Sequence, residues 1–166
     1  SSPMRSRQRL SDDGWIGDAI PVEWRERRAT GPVMTKSIVD ARIALPDLEM
    51  AIRHCGEGPL VLCLHGFPDS AQTWDALLPG LADAGYQAVA PFMRGYAPSD
   101  VPGDGAYDAL TLARDVLALA DALAPEAPFY LVGHDWGAIT GYAAASLAGA
   151  RLAALVTAAV PPTSRF

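Results

Sequence analysis

The fold is decided by the segment Phe129-Tyr130-Leu131-Val132-Gly133-His134-Asp135-Trp136-Gly137-Ala138-Ile139-Thr140-Gly141. It opens with an apolar run typical of a buried strand and closes with small residues that are compatible with a helix. Between the two parts, a pair of glycines flanks Asp135. The pattern predicts a strand, a sharp turn and a helix, with Asp135 at the turn.

The centre of this segment, Gly133-His134-Asp135-Trp136-Gly137, has the spacing of the nucleophile elbow G-x-S-x-G, with Asp in place of Ser. A residue at such an apex takes a crowded conformation with positive φ, so its neighbours must be small, as Gly133 and Gly137 are. The first free N–H groups of the helix favour the ionised form of Asp135. A carboxylate needs no activating base, and it can attack an sp3 carbon and displace an epoxide oxygen or a halide.

A second motif, His65-Gly66-Phe67-Pro68, directly follows the apolar strand Leu60–Leu64. Loops after the strands of an open α/β sheet hold its ligand chemistry. In an elbow-type hydrolase, one oxyanion-hole N–H comes from this loop and one from the residue after the nucleophile, here Phe67 and Trp136. Each motif alone has a simpler interpretation, Asp135 as a helix N-cap and His65-Gly66 as a tight turn. Their joint occurrence after two separate strands favours catalysis.

Composition limits the class of protein. The 166 residues are 50% hydrophobic and 19% charged, as expected for a globular chain with one core. The net charge of -6 gives no reason to expect binding to nucleic acid or to an anionic membrane, and a small neutral substrate fits better. Cys55 and Cys63 lack metal-site spacing and are predicted to be free, buried thiols. No signal peptide or membrane span is evident, so we expect a cytoplasmic protein. We also expect neither a metal nor a cofactor.

Residues 1–33 show no sustained helical or strand period, and we predict a poorly ordered extension, with an arm packed through Trp15 and Trp24 as the alternative. Residues 34–166 form the predicted folded unit. Strands are expected near 36–44, 48–54, 60–64, 87–90, 128–132 and 152–158, and helices near 71–84, 107–124 and 136–148. A hairpin followed by alternating strands and helices predicts an α/β protein: a three-layer, mostly parallel sheet with helices on both faces.

With both motifs in place, the chain resembles the α/β-hydrolase superfamily, in the branch of epoxide hydrolases and haloalkane dehalogenases. A third segment, Arg94-Gly95-Tyr96-Ala97-Pro98-Ser99, supports the resemblance, and we interpret Arg94 itself as a salt-bridge residue in a structural turn. The resemblance implies that Asp135 is the nucleophile, that Phe67 and Trp136 supply the oxyanion hole, that Phe67, Pro68 and Trp136 contact substrate, and that the Phe67–Pro68 bond is cis. His65, Gly66, Gly133, His134 and Gly137 are then structural members of the motifs.

Phe67 separates two activities within that branch. Dehalogenases usually place Asn at this position to bind halide, whereas H-G-F-P resembles the epoxide hydrolases. Fluoroacetate-type dehalogenases share H-G-F-P but usually carry Arg after the nucleophile, where this chain has Trp136. Opening of an epoxide is therefore the first expectation, and dehalogenation is the alternative.

The sequence also lacks parts that the resemblance implies. A base histidine should follow the nucleophile, but His54, His65 and His134 all precede Asp135, and none is expected to serve. We therefore expect the N-terminal half of an enzyme, ended after the sixth strand, without lid or last strands. The alternative is a catalytically inactive subunit. In either case the last strand has an exposed edge through which the chain can self-associate.

Overall fold

The computed structural model describes residues 36–162. The predicted extension over residues 1–33 lies outside the described residues. Within residues 36–162, no helix has the length and apolar character needed to cross a bilayer.

Six strands of the described residues form one sheet in the order β1-β2-β4-β3-β5-β6. Their bounds are β1 Val39–Ala44, β2 Glu49–Cys55, β3 Leu60–Leu64, β4 Gln87–Pro91, β5 Phe129–His134 and β6 Leu152–Ala158. β1 and β2 form the predicted hairpin, and β2 pairs with β4 in antiparallel fashion. The β3–β4, β3–β5 and β5–β6 pairs are all parallel. The sheet is thus mostly parallel, as predicted, and its parallel strands all end at one edge.

Within the described part of the chain, three α-helices connect the strands, and their bounds are α1 Leu78–Asp83, α2 Ala109–Leu123 and α3 Trp136–Ala148. The prediction of one helix over residues 71–84 is wrong: a 3-10 turn, Ala71–Trp74, precedes the shorter α1. Pro79 explains the difference, because proline lacks an N–H and its ring clashes with the carbonyl four residues earlier. Proline is tolerated only in the first turn of a helix, which is where Pro79 lies.

The side chains of β3 alternate between the two faces of the sheet. Leu60, Leu62 and Leu64 join the cluster formed with α2 and α3, while Val61 and Cys63 join a second cluster that contains residues of α1. A strand covered on both faces has no polar positions, which accounts for the continuous apolar run in the sequence. Cys63 is a free, buried thiol as predicted, and burial raises its pKa to about 12.

The loop after β4 is tied to α2 by a buried ion pair. The Arg94 guanidinium donates through Nε to Asp115 at 2.7 Å and through a terminal nitrogen at 2.9 Å. Its remaining nitrogen lies 3.2 Å from Asp104. The side chains of Arg94 and Asp115 are only 1% and 7% exposed. The interpretation of Arg94 as a structural salt-bridge residue is confirmed, and the pKa of Arg94 is raised by this pairing.

We predict that Asp115→Ala lowers the free energy of unfolding by about 3 kcal/mol, because it leaves a buried guanidinium without its main partner. Asp121→Ala is the matched control: it lies on the same helix and pairs with Arg151, but its side chain is 62% exposed. That change should cost less than about 1 kcal/mol. Urea unfolding of both variants measures the difference, and equal costs would contradict a structural role for the buried pair.

Candidate active site

Asp135 lies between the end of β5 and the start of α3, in a conformation that few non-glycine residues adopt, with φ 52° and ψ -116°. Several hydrogen bonds hold this turn. The Asp135 N–H donates to the Ala158 carbonyl at 3.3 Å, and the Asp135 carbonyl accepts from Ala138 at 2.9 Å and from Ile139 at 3.2 Å. The strained residue is therefore fixed by both the neighbouring strand and the helix.

The glycines on either side of Asp135 are required by space rather than by a positive φ. A Cβ at Gly133 would lie 2.4 Å from the carbonyl oxygen of Gly137. A Cβ at Gly137 would lie 2.1 Å from the carbonyl oxygen of Leu64, at the end of β3. The helix thus passes over the ends of two strands at backbone contact distance, and the prediction that small residues flank Asp135 for this reason is confirmed.

Gly66 has a more specific reason to be glycine than a tight turn. A Cβ at Gly66 would lie 2.5 Å from the Cβ of Asp135 and 2.6 Å from its Oδ1. This close approach lets the next residue, Phe67, donate its N–H to Asp135 Oδ1 at 2.9 Å. The Phe67–Pro68 peptide is cis, as the resemblance implied. The two motifs of the sequence meet at this hydrogen bond.

The Asp135 side chain does not cap its own helix, since no capping hydrogen bond is formed. By contrast, Asp108 caps α2 and accepts from Leu110 and Thr111. The pKa of Asp135 is lowered chiefly by the Phe67 N–H, then by the Trp136 N–H, with a smaller contribution from the charge of His134. The N-cap interpretation therefore does not explain the carboxylate, which reaches across to another loop and stays ionised.

The three histidines have different surroundings. His54 lies near the end of β2 that pairs with the start of β4, at the edge of the sheet opposite to Asp135. His134 ends β5, and its Nδ1 is buried without a hydrogen-bond partner among the described residues. His65 is fully buried and bonded to backbone groups. Neither His54 nor His65 is placed to activate water at Asp135.

A cavity of about 230 Å³ opens beside the elbow. Its lining includes Trp136, Tyr96 from the loop after β4, and Tyr107. The Trp136 side chain is 45% exposed. Phe67 is 68% exposed but, like Pro68, is not among the residues that line it. Of the three residues predicted to contact substrate, only Trp136 lines this cavity, and the contact of Phe67 and Pro68 with substrate stays a prediction. The sequence did not predict Tyr96 as a lining residue, although its place in the loop after a parallel strand could have indicated it.

Comparison with known proteins shows the family. The profile of the alpha/beta hydrolase fold matches residues 59–165. The chain belongs to the α/β-hydrolase family. Within residues 36–162 of this α/β-hydrolase, no group of three His, Cys, Asp or Glu side chains is arranged to hold a metal ion.

The relatives that this α/β-hydrolase resembles include epoxide hydrolases. It is 38% identical over 133 residues to an epoxide hydrolase of Caballeronia sordidicola, covering 80% of this chain and 40% of that protein. It is 37% identical over 143 residues to epoxide hydrolase A of Mycobacterium tuberculosis, covering 80% and 43%. The crystal structure of an epoxide hydrolase from Vigna radiata superposes with a TM-score of 0.73 and 35% identity, covering 78% and 42%. The chain spans about two fifths of the length of these relatives.

We predict that the Asp135 carboxyl titrates with a midpoint below the ordinary aspartate value of 3.8. Hydrogen bonds to the ionised form lower the pKa, so this interaction stabilises the fold above the ordinary pKa and is lost as the pH falls through the lowered one. Carbon-13 NMR of the carboxyl carbon, assigned with Asp135→Asn, gives the midpoint. A midpoint above 3.8 would contradict the geometry at Phe67.

We also predict that Gly66→Ala displaces Asp135 from the Phe67 N–H and lowers the free energy of unfolding by about 1–3 kcal/mol through overpacking. Gly80→Ala is the control, because a Cβ there meets nothing within 4 Å and the residue lies in α1. Alanine at that position should leave stability equal or raise it by up to about 1 kcal/mol. Urea unfolding and the Phe67 amide proton shift check both variants, and an unchanged Phe67 shift in Gly66→Ala would refute the contact.

Proposed function

We propose that this α/β-hydrolase opens epoxides through a covalent ester on Asp135. The observation that carries the proposal is the position of Asp135, an ionised carboxylate at a strained turn with Oδ1 held 2.9 Å from the Phe67 N–H. A carboxylate held only for stability has no need of this strain, which costs of order 1–3 kcal/mol. The similarity to epoxide hydrolases supports the choice of reaction.

In the first step, Asp135 Oδ2 attacks an epoxide carbon while Oδ1 stays at the Phe67 N–H. One carbon–oxygen bond forms, and the ring carbon–oxygen bond breaks with its electron pair leaving on the epoxide oxygen, which then takes up a proton from the solvent. Because a carboxylate attacks as it stands, this step needs no base near Asp135. The lowered pKa of Asp135 keeps the attacking form populated at neutral pH.

In the second step, water attacks the ester carbon, Cγ of Asp135, and a base takes the proton of the water. Negative charge then develops on Oδ1, the atom that already lies at the Phe67 N–H, with the Trp136 N–H close by. Donors that are in place before charge develops lower the barrier most, because they need no reorganisation. Collapse breaks the bond between Cγ and Oδ2, and Oδ2 leaves in the diol with the proton that the base had taken. The oxygen of the water completes the carboxylate, whose remaining proton returns to the solvent.

The base for the second step is expected from outside the described residues. His54 and His65 are excluded by their positions, and His134 immediately precedes Asp135 in β5, with its Nδ1 buried. We therefore propose that residues 36–162 carry the alkylation step and its oxyanion hole, and that ester hydrolysis needs a further histidine.

The cavity supports a small and largely apolar substrate. Its volume is about 230 Å³, and Trp136, Tyr96 and Tyr107 provide aromatic walls. Aromatic walls with few polar groups bind apolar ligands. We propose a small neutral epoxide and water as the reactants, with no nucleic acid or membrane partner. We also propose that the chain can self-associate through the edge of β6, which among the described strands pairs only with β5.

The test is alkylation of the 166-residue chain by a reactive aryl epoxide such as styrene oxide. We expect one slowly acquired adduct, confined by peptide mass spectrometry to the peptide that contains Asp135. Asp135→Asn should abolish this labelling. Asp108→Asn is the matched control, because Asp108 is also an ionised carboxylate at a helix N-terminus with a lowered pKa, but lies at a different loop.

Labelling of Asp108 at the same rate as Asp135 would overturn the proposal, since any carboxylate at a helix end would then suffice. Sustained diol production by this chain would contradict the need for a further histidine. A chloroalkane of similar size is the comparator for the alternative activity: if it alkylates Asp135 faster than the epoxide does, dehalogenation is the better assignment.

A further inference from the structure

The loop after β3 is held differently on its two sides. Toward β5, the parallel ladder continues to the pair Leu64 and Gly133, the last residues before the elbow. Toward β4, the parallel ladder ends earlier, at the pair Leu62 and Val89. The Phe67 loop therefore begins three residues past the last backbone pairing with β4. A different contact must connect it to that side of the sheet.

The imidazole of His65 makes this contact. Its Nε2 accepts a hydrogen bond from the Met93 N–H, just after β4, at 3.1 Å. Its Nδ1 lies 2.9 Å from the carbonyl oxygen of Gly66. The His65 ring also packs against the Tyr96 ring in a T-shaped arrangement, with ring centroids 4.6 Å apart and an interplanar angle of 80°. His65 is 0% exposed, so these contacts are buried.

These partners define the protonation state of the ring. A carbonyl oxygen can only accept, so Nδ1 must carry a proton, and a backbone N–H can only donate, so Nε2 must carry none. His65 is therefore the neutral Nδ1–H tautomer. Burial lowers the pKa of His65 and favours the same neutral form.

The Gly66 carbonyl and the Phe67 N–H belong to one peptide unit. A trans peptide is planar, and its oxygen and hydrogen point in opposite directions, so fixing one end fixes the other. The oxygen accepts from His65 Nδ1–H and from the Asp69 N–H at 3.2 Å, while the hydrogen faces Asp135 Oδ1. Donors on the oxygen also polarise the peptide and strengthen the N–H as a donor.

We propose that His65 is a positioning residue for the reaction: its neutral imidazole orients and polarises the Gly66–Phe67 peptide so that the Phe67 N–H faces Asp135. This inference rests on the proposed function for its catalytic consequence. It gives His65 a role that neither a tight turn nor a general base would provide. His65 touches no reacting atom and acts through the peptide that does.

The first experiment needs no variant. Long-range nitrogen–proton NMR of the parent 166-residue chain at neutral pH reports which ring nitrogen of His65 carries the proton. We expect the Nδ1–H tautomer. An Nε2–H tautomer or a doubly protonated ring would overturn the proposal, because neither can accept from Met93 while donating to Gly66.

The second experiment separates the two hydrogen bonds with two variants. The amide of asparagine occupies roughly the place of Nδ1, so His65→Asn keeps a donor for the Gly66 carbonyl and loses the hydrogen bond from the Met93 N–H. The amide of glutamine reaches roughly the place of Nε2, so His65→Gln keeps an acceptor for the Met93 N–H and loses the hydrogen bond to the Gly66 carbonyl. His54→Asn, in β2, is the control for loss of a histidine elsewhere.

We expect His65→Gln to move the Phe67 amide proton upfield and to slow epoxide labelling of Asp135 by ~10- to 100-fold, the scale of effect for a small misplacement at a reacting centre. His65→Asn should restore most of the labelling rate and the Phe67 shift, and His54→Asn should match the parent chain. A parent-like Phe67 shift in His65→Gln, or equal losses in Gln and Asn, would refute the positioning role. If the parent itself is not labelled, the proposed function fails, while the tautomer and the Phe67 shift still decide this inference.

Discussion

The hydrogen bond from the Phe67 N–H to Asp135 Oδ1, 2.9 Å long, is the contact on which the rest of the site depends. It joins two loops that follow adjacent parallel strands, β3 and β5, and it brings a donor to the carboxylate before any substrate arrives. The contact requires glycine at position 66, because a Cβ there would lie 2.5 Å from the Cβ of Asp135. The lowered pKa of Asp135 follows from the same interaction.

Both sides of this contact are supported by the surrounding fold. On one side, the Asp135 N–H bonds to Ala158 in β6, and α3 begins directly over the strand ends. On the other, Ser99 is buried, donates to the Phe92 carbonyl at 2.6 Å and accepts from the Ala51 N–H at 2.8 Å, so that the loop after β4 is fastened to β2. That loop carries Met93, the partner of His65. A strained residue persists only where its surroundings determine its conformation in this way.

Much of the architecture follows from local pattern. The continuous apolar run Leu60–Leu64 and the segment around Asp135 predicted their strands and the helix 136–148, because burial on both faces and small residues at a turn leave clear signals. The region 71–84 was predicted less well. Its composition suits a helix, and only the position of Pro79 shows that regular α-helix is confined to the second half.

The sequence by itself determined the fold class, the turn at Asp135 and the pairing of Asp135 with the loop that contains Phe67, because each depends on residues close together in the chain or on the order of strands. Only the tertiary structure decided that Gly66 is needed for contact with Asp135, that Tyr96 lines the cavity, and that His65 bonds to Met93. His65 and Met93 are 28 positions apart in the chain, and Gly66 and Asp135 are 69 apart. The geometry of these contacts comes from strand register and loop path, which no local pattern encodes.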